Sequence, residues 1–288
     1  MGVMFGVWRQ DPEDAMTELI ARRSVLGLVG VALTGLPATL ARAAEDDPWP
    51  GLHQDVFNNR PISEEDGLVT LEAPMRAEDA ALVPLTIKVD RDKAPALRSL
   101  TLLIDKNPAP VAATFFFGEA SGEIVLSTRV RIDAYSNVRA VVETVSGSLH
   151  MTTRYVKASG GCSAPALKDA DVASAELGRM QLRQFAAENA TSASREVQLM
   201  IRHPNYSGLQ MNQLTGYYIP AKFISDVEVK RGDVSVFRME GGISLSADPN
   251  IRFTYRPTGP DDVLSAVARD TDGLLLNGSW SAKSGKES

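Results

Sequence analysis

Twice along this chain, apolar and polar residues alternate in a series of short runs, and no other feature limits its fold as much. In the first series, residues 82–89 alternate with period two. Residues 100–104 follow and stop at the turn cluster Asp105-Lys106-Asn107-Pro108. Then come 111–117, 124–132, 138–145 and 149–156, the last two joined by Ser146-Gly147-Ser148. The second series runs through 197–201, which ends at His203-Pro204, and then 223–229, 234–239, 243–246, 251–255, 262–270 and 274–276. Period two puts successive side chains on opposite faces of a strand, and short strands separated by turn residues describe antiparallel sandwiches. The expected fold is all-β, with two immunoglobulin-like β-sandwich domains at 44–157 and 195–280.

Between the two series lies Lys157-Ala158-Ser159-Gly160-Gly161-Cys162-Ser163-Ala164-Pro165, which holds the only cysteine of the chain. No bulky side chain interrupts it, and Gly160 and Gly161 leave the backbone unrestrained. The reading is a flexible cysteine-bearing arm at 158–165, with Cys162 exposed and reactive. Residues 166–189 are rich in Ala, Leu, Met, Gln, Glu and Arg, good helix formers, so 166–194 is expected as a helical linker. That linker tethers the arm at both ends and shortens its reach. The two sandwiches are expected to be separate sheets in contact across a boundary between Ala166 and Ser194.

The 288 residues, 44% hydrophobic and 23% charged, suit a soluble globular protein. The net charge of -6, with no basic block, speaks against nucleic acid as a partner. A single cysteine permits no intramolecular disulfide. At the N-terminus Arg22-Arg23 directly precede an apolar run at 25–36, followed by Pro37 and the small-x-small site Ala41-Arg42-Ala43. This pattern reads as a twin-arginine signal peptide at 1–43, with Met1 or Met16 as the start, cleavage near Ala43, a mature chain from about Ala44 and a periplasmic destination, with no membrane segment left in the mature form.

Catalytic constellations are missing from the sequence. His53, His150 and His203 lack His, Cys, Asp or Glu neighbours at metal-ligand spacing and read as structural. There is no phosphate loop, no Gly-x-Ser-x-Gly elbow and no cofactor motif, so neither an enzyme nor a bound cofactor or metal is expected.

Several segments resemble a known family. Ile104-Asp105-Lys106-Asn107-Pro108, Ala113-Thr114-Phe115, Ser127-Thr128-Arg129-Val130-Arg131, Val138-Arg139-Ala140 and Arg154-Tyr155-Val156-Lys157 through Gly160-Gly161-Cys162 resemble SoxY, the sulfur-carrier subunit of periplasmic thiosulfate oxidation. Ile201-Arg202-His203-Pro204, Ile219-Pro220-Ala221-Lys222-Phe223-Ile224 and Asn250-Ile251-Arg252-Phe253 resemble its partner SoxZ. The order matches the fused SoxYZ-like carriers associated with quinoprotein dehydrogenases. The resemblance implies that Cys162 is the covalent attachment point, with Gly160 and Gly161 as its flexible approach. It also implies partner enzymes, among them a pyrroloquinoline-quinone-dependent dehydrogenase or a c-type cytochrome. Where SoxY ends in a Gly-Gly-Cys-Gly-Gly tail, this chain reads Ser163-Ala164-Pro165 and continues into another domain. The expected function is a periplasmic carrier of a sulfur-containing intermediate. The alternative is a non-catalytic docking module for such a dehydrogenase or its cytochrome.

Overall fold

The computed structural model of the protein describes residues 47–93, 96–165, 176–185 and 194–281, so the signal peptide expected at 1–43 and much of the linker, 166–175 and 186–193, lie outside the described residues. The first half begins with a helix the sequence reading did not anticipate, α1 (Trp49–Phe57). Pro50 sits in its first turn, where a missing N–H costs nothing. Asn58 ends it in the left-handed conformation and donates its N–H to the Gln54 carbonyl. Eight strands follow: β1 (Ile62–Glu64), β2 (Val69–Glu72), β3 (Val83–Val89), β4 (Leu97–Ile104), β5 (Val111–Phe117), β6 (Ile124–Val130), β7 (Ser136–Thr144) and β8 (Leu149–Val156). The second half adds β9 (Met180–Gln184), β10 (Arg195–Ile201), β11 (Ile224–Arg231), β12 (Val234–Gly241), β13 (Asn250–Tyr255), β14 (Val263–Asp270) and β15 (Leu275–Ser281).

Each half forms a two-sheet, immunoglobulin-like sandwich, and the all-β expectation holds. The separation into independent sheets does not. One nine-stranded sheet runs β1-β8-β7-β4-β5-β12-β11-β14-β15, and a six-stranded sheet runs β2-β3-β6-β13-β10-β9. Both cross from the first half to the second, and the described residues make one compact unit. The reason lies at the seam. β5 pairs antiparallel with β12, setting Phe115 opposite Met239 and Phe117 opposite Phe237. Between the sheets Phe237 packs on Phe115 with ring centroids 5.9 Å apart and edge-on to Phe253 at 4.9 Å. Pairing two edge strands this way removes two exposed rows of backbone donors and acceptors and closes one apolar interior over both halves.

The alternation in the sequence is what the sheets use. β3 is buried at every second position, and β6 likewise. β4 and β7 are buried on both faces. Their second face is covered by α1, whose Phe57 joins Leu103, Val141, Leu149 and Met151 in a satellite core. Trp49 of the helix lies over the Arg139 guanidinium at 4.0 Å. Arg139 in turn holds the buried Asp105 carboxylate with Nη2–Oδ2 at 2.8 Å. The turn cluster at Asp105 is thereby fixed to β7 by a buried, charge-assisted pair.

Two local expectations fail. Residues 180–184, read as helix, form the edge strand β9. Helix propensity is a weak preference, and the period-two pair Met180 and Leu182 faces the core opposite Ile201 and Leu199 of β10. Residues 243–246, read as a strand, form a turn that reaches across the seam. Leu245 bridges to Val130 of β6. Ser244 Oγ donates to the Ala109 carbonyl and Ser246 Oγ to the Ala81 carbonyl, both at 2.7 Å.

Candidate functional site

The arm leaves β8 and follows the surface of its own sandwich before turning inward. The Lys157 N–H donates to the Met75 carbonyl at 2.9 Å. The Gly160 and Gly161 N–H groups then donate to the carbonyls of Asp133 and Ile132 at 2.8 and 2.9 Å. Gly160 has a φ of +77° with open space at the position of a β-carbon, so its role is a turn. Gly161 is a close approach: a β-carbon there would lie 2.0 Å from the Ala80 carbonyl oxygen and 2.7 Å from that of Ile132.

Cys162 is fully buried, with 0% relative exposure. This corrects the expectation of an exposed thiol. The small residues around it in sequence cannot cover it, but a loop of the second half does. The Ser207 hydroxyl donates to the Cys162 carbonyl, and Gln210 Nε2 donates to the Ala164 carbonyl at 2.9 Å. Both side chains are buried. The loop holds itself in shape through the Ser207 N–H, which donates to Gln210 Oε1 at 3.2 Å, and the Leu209 N–H, which donates to Ser207 Oγ at 3.2 Å. No residue of the arm pairs with this loop as a strand, so the contact is made by side chains gripping carbonyls.

Arg131, just beyond β6, closes the other side. It heads the largest fully buried side chains among the described residues. Its guanidinium donates to the carbonyls of Leu245 at 3.3 Å, Asn205 at 3.0 Å, Pro204 at 3.4 Å and, more weakly, Gly161 at 3.5 Å. Arm, cover loop and seam turn thus meet on one cation. Burial lowers the pKa of Arg131, opposed by the nearby Cys162 and Asp79. The group stays charged all the same, since guanidinium does not deprotonate in proteins. The thiol is pushed up to about 11, chiefly by burial and further by Asp133, against the pull of Arg131. In this position the sulfur is protonated and inert at neutral pH.

The cover loop is anchored by a buried polar group. His203 sits between Asn205 Oδ1 at 2.8 Å and Asp270 Oδ2 at 3.4 Å, and burial lowers its pKa. Lys222 Nζ approaches the same Asp270 at 3.5 Å. His53 contacts the Arg60 carbonyl at 2.7 Å and His150 contacts Asp66 Oδ2 at 2.5 Å. The hydrogen bonds of the three histidines go to these groups and not to Cys162. Among the described residues no group of three potential metal ligands occurs. Ser207, Gln210 and Asn205 carry no sequence signal of their own. Arg131 stood out only as part of the segment Ser127-Thr128-Arg129-Val130-Arg131 that resembles SoxY.

The two glycines give a test of the dock. Gly161→Ala must displace backbone, which typically costs ~1–3 kcal/mol for an overpacked site. It is expected to undock the arm and speed labelling of Cys162. Gly160→Ala meets no neighbour and carries only the positive-φ cost of roughly 1–2 kcal/mol. Thiol labelling and thermal melts of the two variants compare them. Equal labelling would show that the Gly161 contact does not hold the arm.

The chain is thus two merged sandwiches, with its single cysteine at the end of the first and held by the second. Two family models divide it in that way: the sulfur oxidation protein SoxY matches residues 53–162 and the sulphur oxidation protein SoxZ matches residues 183–280. The chain belongs to these families as a fused SoxYZ-like protein. The first match ends on Cys162 itself. Among solved structures the chain is similar to the sulfur carrier protein SoxY from Chlorobium limicola f thiosulfatophilum, at 25% identity and a TM-score of 0.33, over 38% of this chain and 91% of that one. No curated protein matches it.

Proposed function

We propose that the protein is a periplasmic carrier that holds a sulfur-containing intermediate covalently on Cys162 and presents it to partner enzymes. The observation that carries this reading is the end of the SoxY match on the one cysteine, in a segment that the SoxZ half grips without strand pairing. Such a grip can open without unfolding either sandwich. Loading is a thiol–disulfide type exchange. The Cys162 thiol gives its proton to solvent, and its thiolate attacks the outer sulfur of a mixed disulfide or persulfide-type group on a partner. One S–S bond forms, the partner's S–S bond breaks, and the partner's thiolate leaves with the electron pair. No net oxidation occurs in the transfer. Fusion keeps the cover domain at high effective concentration, so no second chain need assemble.

The periplasmic part of the proposal is supported by Arg22-Arg23 before the apolar run and by Ala41-Arg42-Ala43. The partners proposed are a pyrroloquinoline-quinone-dependent dehydrogenase or a c-type cytochrome, beside the enzymes that process the cargo. One observation favours the second reading, a docking module. The cover loop presents Leu214, Tyr217 and Tyr218 to solvent, at 97%, 77% and 65% exposure, an apolar tip of the kind that marks protein contacts. Cys162→Ser separates the two. A carrier loses pathway activity entirely, and a docking module keeps it. Intact-mass analysis of the protein isolated from its native cells reads both the adduct on Cys162 and the processed N-terminus. An unmodified thiol under all growth conditions, with full activity of the serine variant, would overturn the carrier.

A further inference from the structure

We propose that the outer hairpin of the cover loop is the docking surface for the enzyme that takes the arm, and that docking there releases Cys162. This rests on the carrier reading and adds to it a surface and a trigger. The hairpin runs from Gln210 to Ile219. The Ile219 N–H donates to the Gln210 carbonyl at 2.8 Å, Met211 pairs antiparallel with Tyr218, and the Asn212 N–H donates to the Tyr217 carbonyl at 2.9 Å. At the turn the Gly216 N–H donates to the Asn212 carbonyl at 2.8 Å. Asn212 Oδ1 accepts from the Leu214 and Thr215 N–H groups at 2.9 and 3.1 Å. The backbone is thus tied from base to tip.

What the hairpin exposes is apolar and neutral. Met211 and Leu209 are exposed beside Leu214, Tyr217 and Tyr218. From Pro204 to Ala221 no side chain carries a charge, in a chain that is 23% charged. Tyrosine and methionine without charge are enriched at the centres of protein–protein interfaces, and tyrosine supplies contact area at little entropic cost. A lipid surface is the weaker fit. Segments that lie on membranes set Lys or Arg beside their apolar side chains, and this hairpin has neither.

The base of the hairpin points to which protein docks. Gln210 is its first rung and also a grip on the arm: Nε2 donates to the Ala164 carbonyl at 2.9 Å, while Oε1 accepts from the Ser207 N–H at 3.2 Å. Ser207 in turn holds the Cys162 carbonyl. A hairpin tied along its backbone moves as one piece, so a partner that tilts the tip draws Gln210 and Ser207 off the arm. At the start of the arm Met75 is exposed, and its carbonyl accepts from the Lys157 N–H. Tyr135 is exposed two residues beyond Asp133, whose carbonyl accepts from the Gly160 N–H. Exposed apolar side chains of both halves therefore accompany the arm along its length, and the protein that covers them is the one that receives it. The coupling is reciprocal: a docked partner favours the released arm, and a released arm favours the docked partner.

The test starts with p-benzoylphenylalanine in place of Tyr217, which in native cells cross-links the occupant of the hairpin for identification by mass spectrometry. The deciding measurement comes next. The purified occupant is titrated into the full mature chain while Cys162 is labelled with a maleimide at neutral pH. Labelling should rise at least about tenfold and saturate, and Leu214→Asp should raise the half-saturating concentration at least about tenfold, as for loss of an interface anchor. Val145→Ser, at an exposed apolar residue next to β7, should leave it unchanged. Raising salt from about 0.05 to about 0.5 M should change it less than about twofold, since the hairpin has no charge to screen. Leu214 is almost wholly exposed, so its variant should fold and, without the occupant, label as the parent does. A cross-link only to lipid or to a second copy, no cross-link, or an occupant that binds without speeding labelling overturns the proposal. An adduct found on Cys162 would uphold the carrier reading in each of those cases. Conversely, labelling is read on the bare thiol, so a saturable rise with no adduct ever found on Cys162 would sink the carrier and leave the trigger standing.

Discussion

In the folded protein Cys162 should react with a small maleimide at pH 7 at least about 100-fold more slowly than in the denatured chain. Two effects point the same way. The thiolate is the reacting species, and raising the thiol from 9.0 to about 11 cuts its fraction roughly 100-fold at any pH well below both values. The sulfur also has no exposed surface, so a reagent must wait for the arm to leave. The sign of the pH dependence follows from the raised value. The docked arm is favoured while the thiol is protonated, and that preference is lost as pH rises from about 9 to about 11. Labelling should therefore climb about tenfold per pH unit through pH 9, where a free cysteine levels off, and flatten only near 11. Fast labelling at pH 7, with an ordinary thiol profile, would sink the docked site.

The strands of both halves were legible because burial at alternate positions leaves a period-two trace in the chain, as in Val83–Val89 and Ile124–Val130. Cys162 was legible as the one thiol in a glycine-rich stretch. Its burial was not, because every group that covers it lies far away in sequence. Ser207 and Gln210 are 45 and 46 residues from the carbonyls they hold, and Arg131 reaches carbonyls 73, 74 and 114 residues away. A local composition argument sees small residues and infers exposure, when small residues are also what a tightly gripped segment requires. Gly161 shows the ambiguity most sharply. Glycine marks flexibility or close approach, and only the Ala80 carbonyl decides for the second.

The same limit explains the linker and the sheets. Met180–Gln184 is composed of residues that favour helix, and its two apolar side chains would suit either a helix or a strand. The free edge of β10 decided it, and that edge is invisible in a sequence read locally. Likewise β5 and β12 each read as ordinary strands of separate domains. Their pairing depends on matching aromatic side chains from residues more than a hundred positions apart, Phe115 and Phe237.

Loosening the grip should convert the slow thiol into a fast one without harming the fold. In Ser207→Ala combined with Gln210→Ala, the carbonyls of Cys162 and Ala164 lose the side chains that now hold them. Each such bond contributes ~1 kcal/mol net. Together about 2 kcal/mol leave the docked state, which raises the open fraction roughly 30-fold. Those carbonyls find water once the arm is out, so the open state bears no matching cost. The sandwiches should keep their melting behaviour, because neither side chain belongs to a strand or to the apolar core. Labelling at pH 7 should then rise by about the same factor, and the pH profile should bend earlier, towards 9. A variant that labels as slowly as the parent would mean that Arg131 and the Gly161 contact hold the arm alone. In that event Arg131→Gln, tested the same way, must release it. If the double variant also transfers cargo faster to a partner enzyme, opening of the dock limits the carrier. An unchanged transfer rate with faster labelling would instead place the limit in the partner's own chemistry.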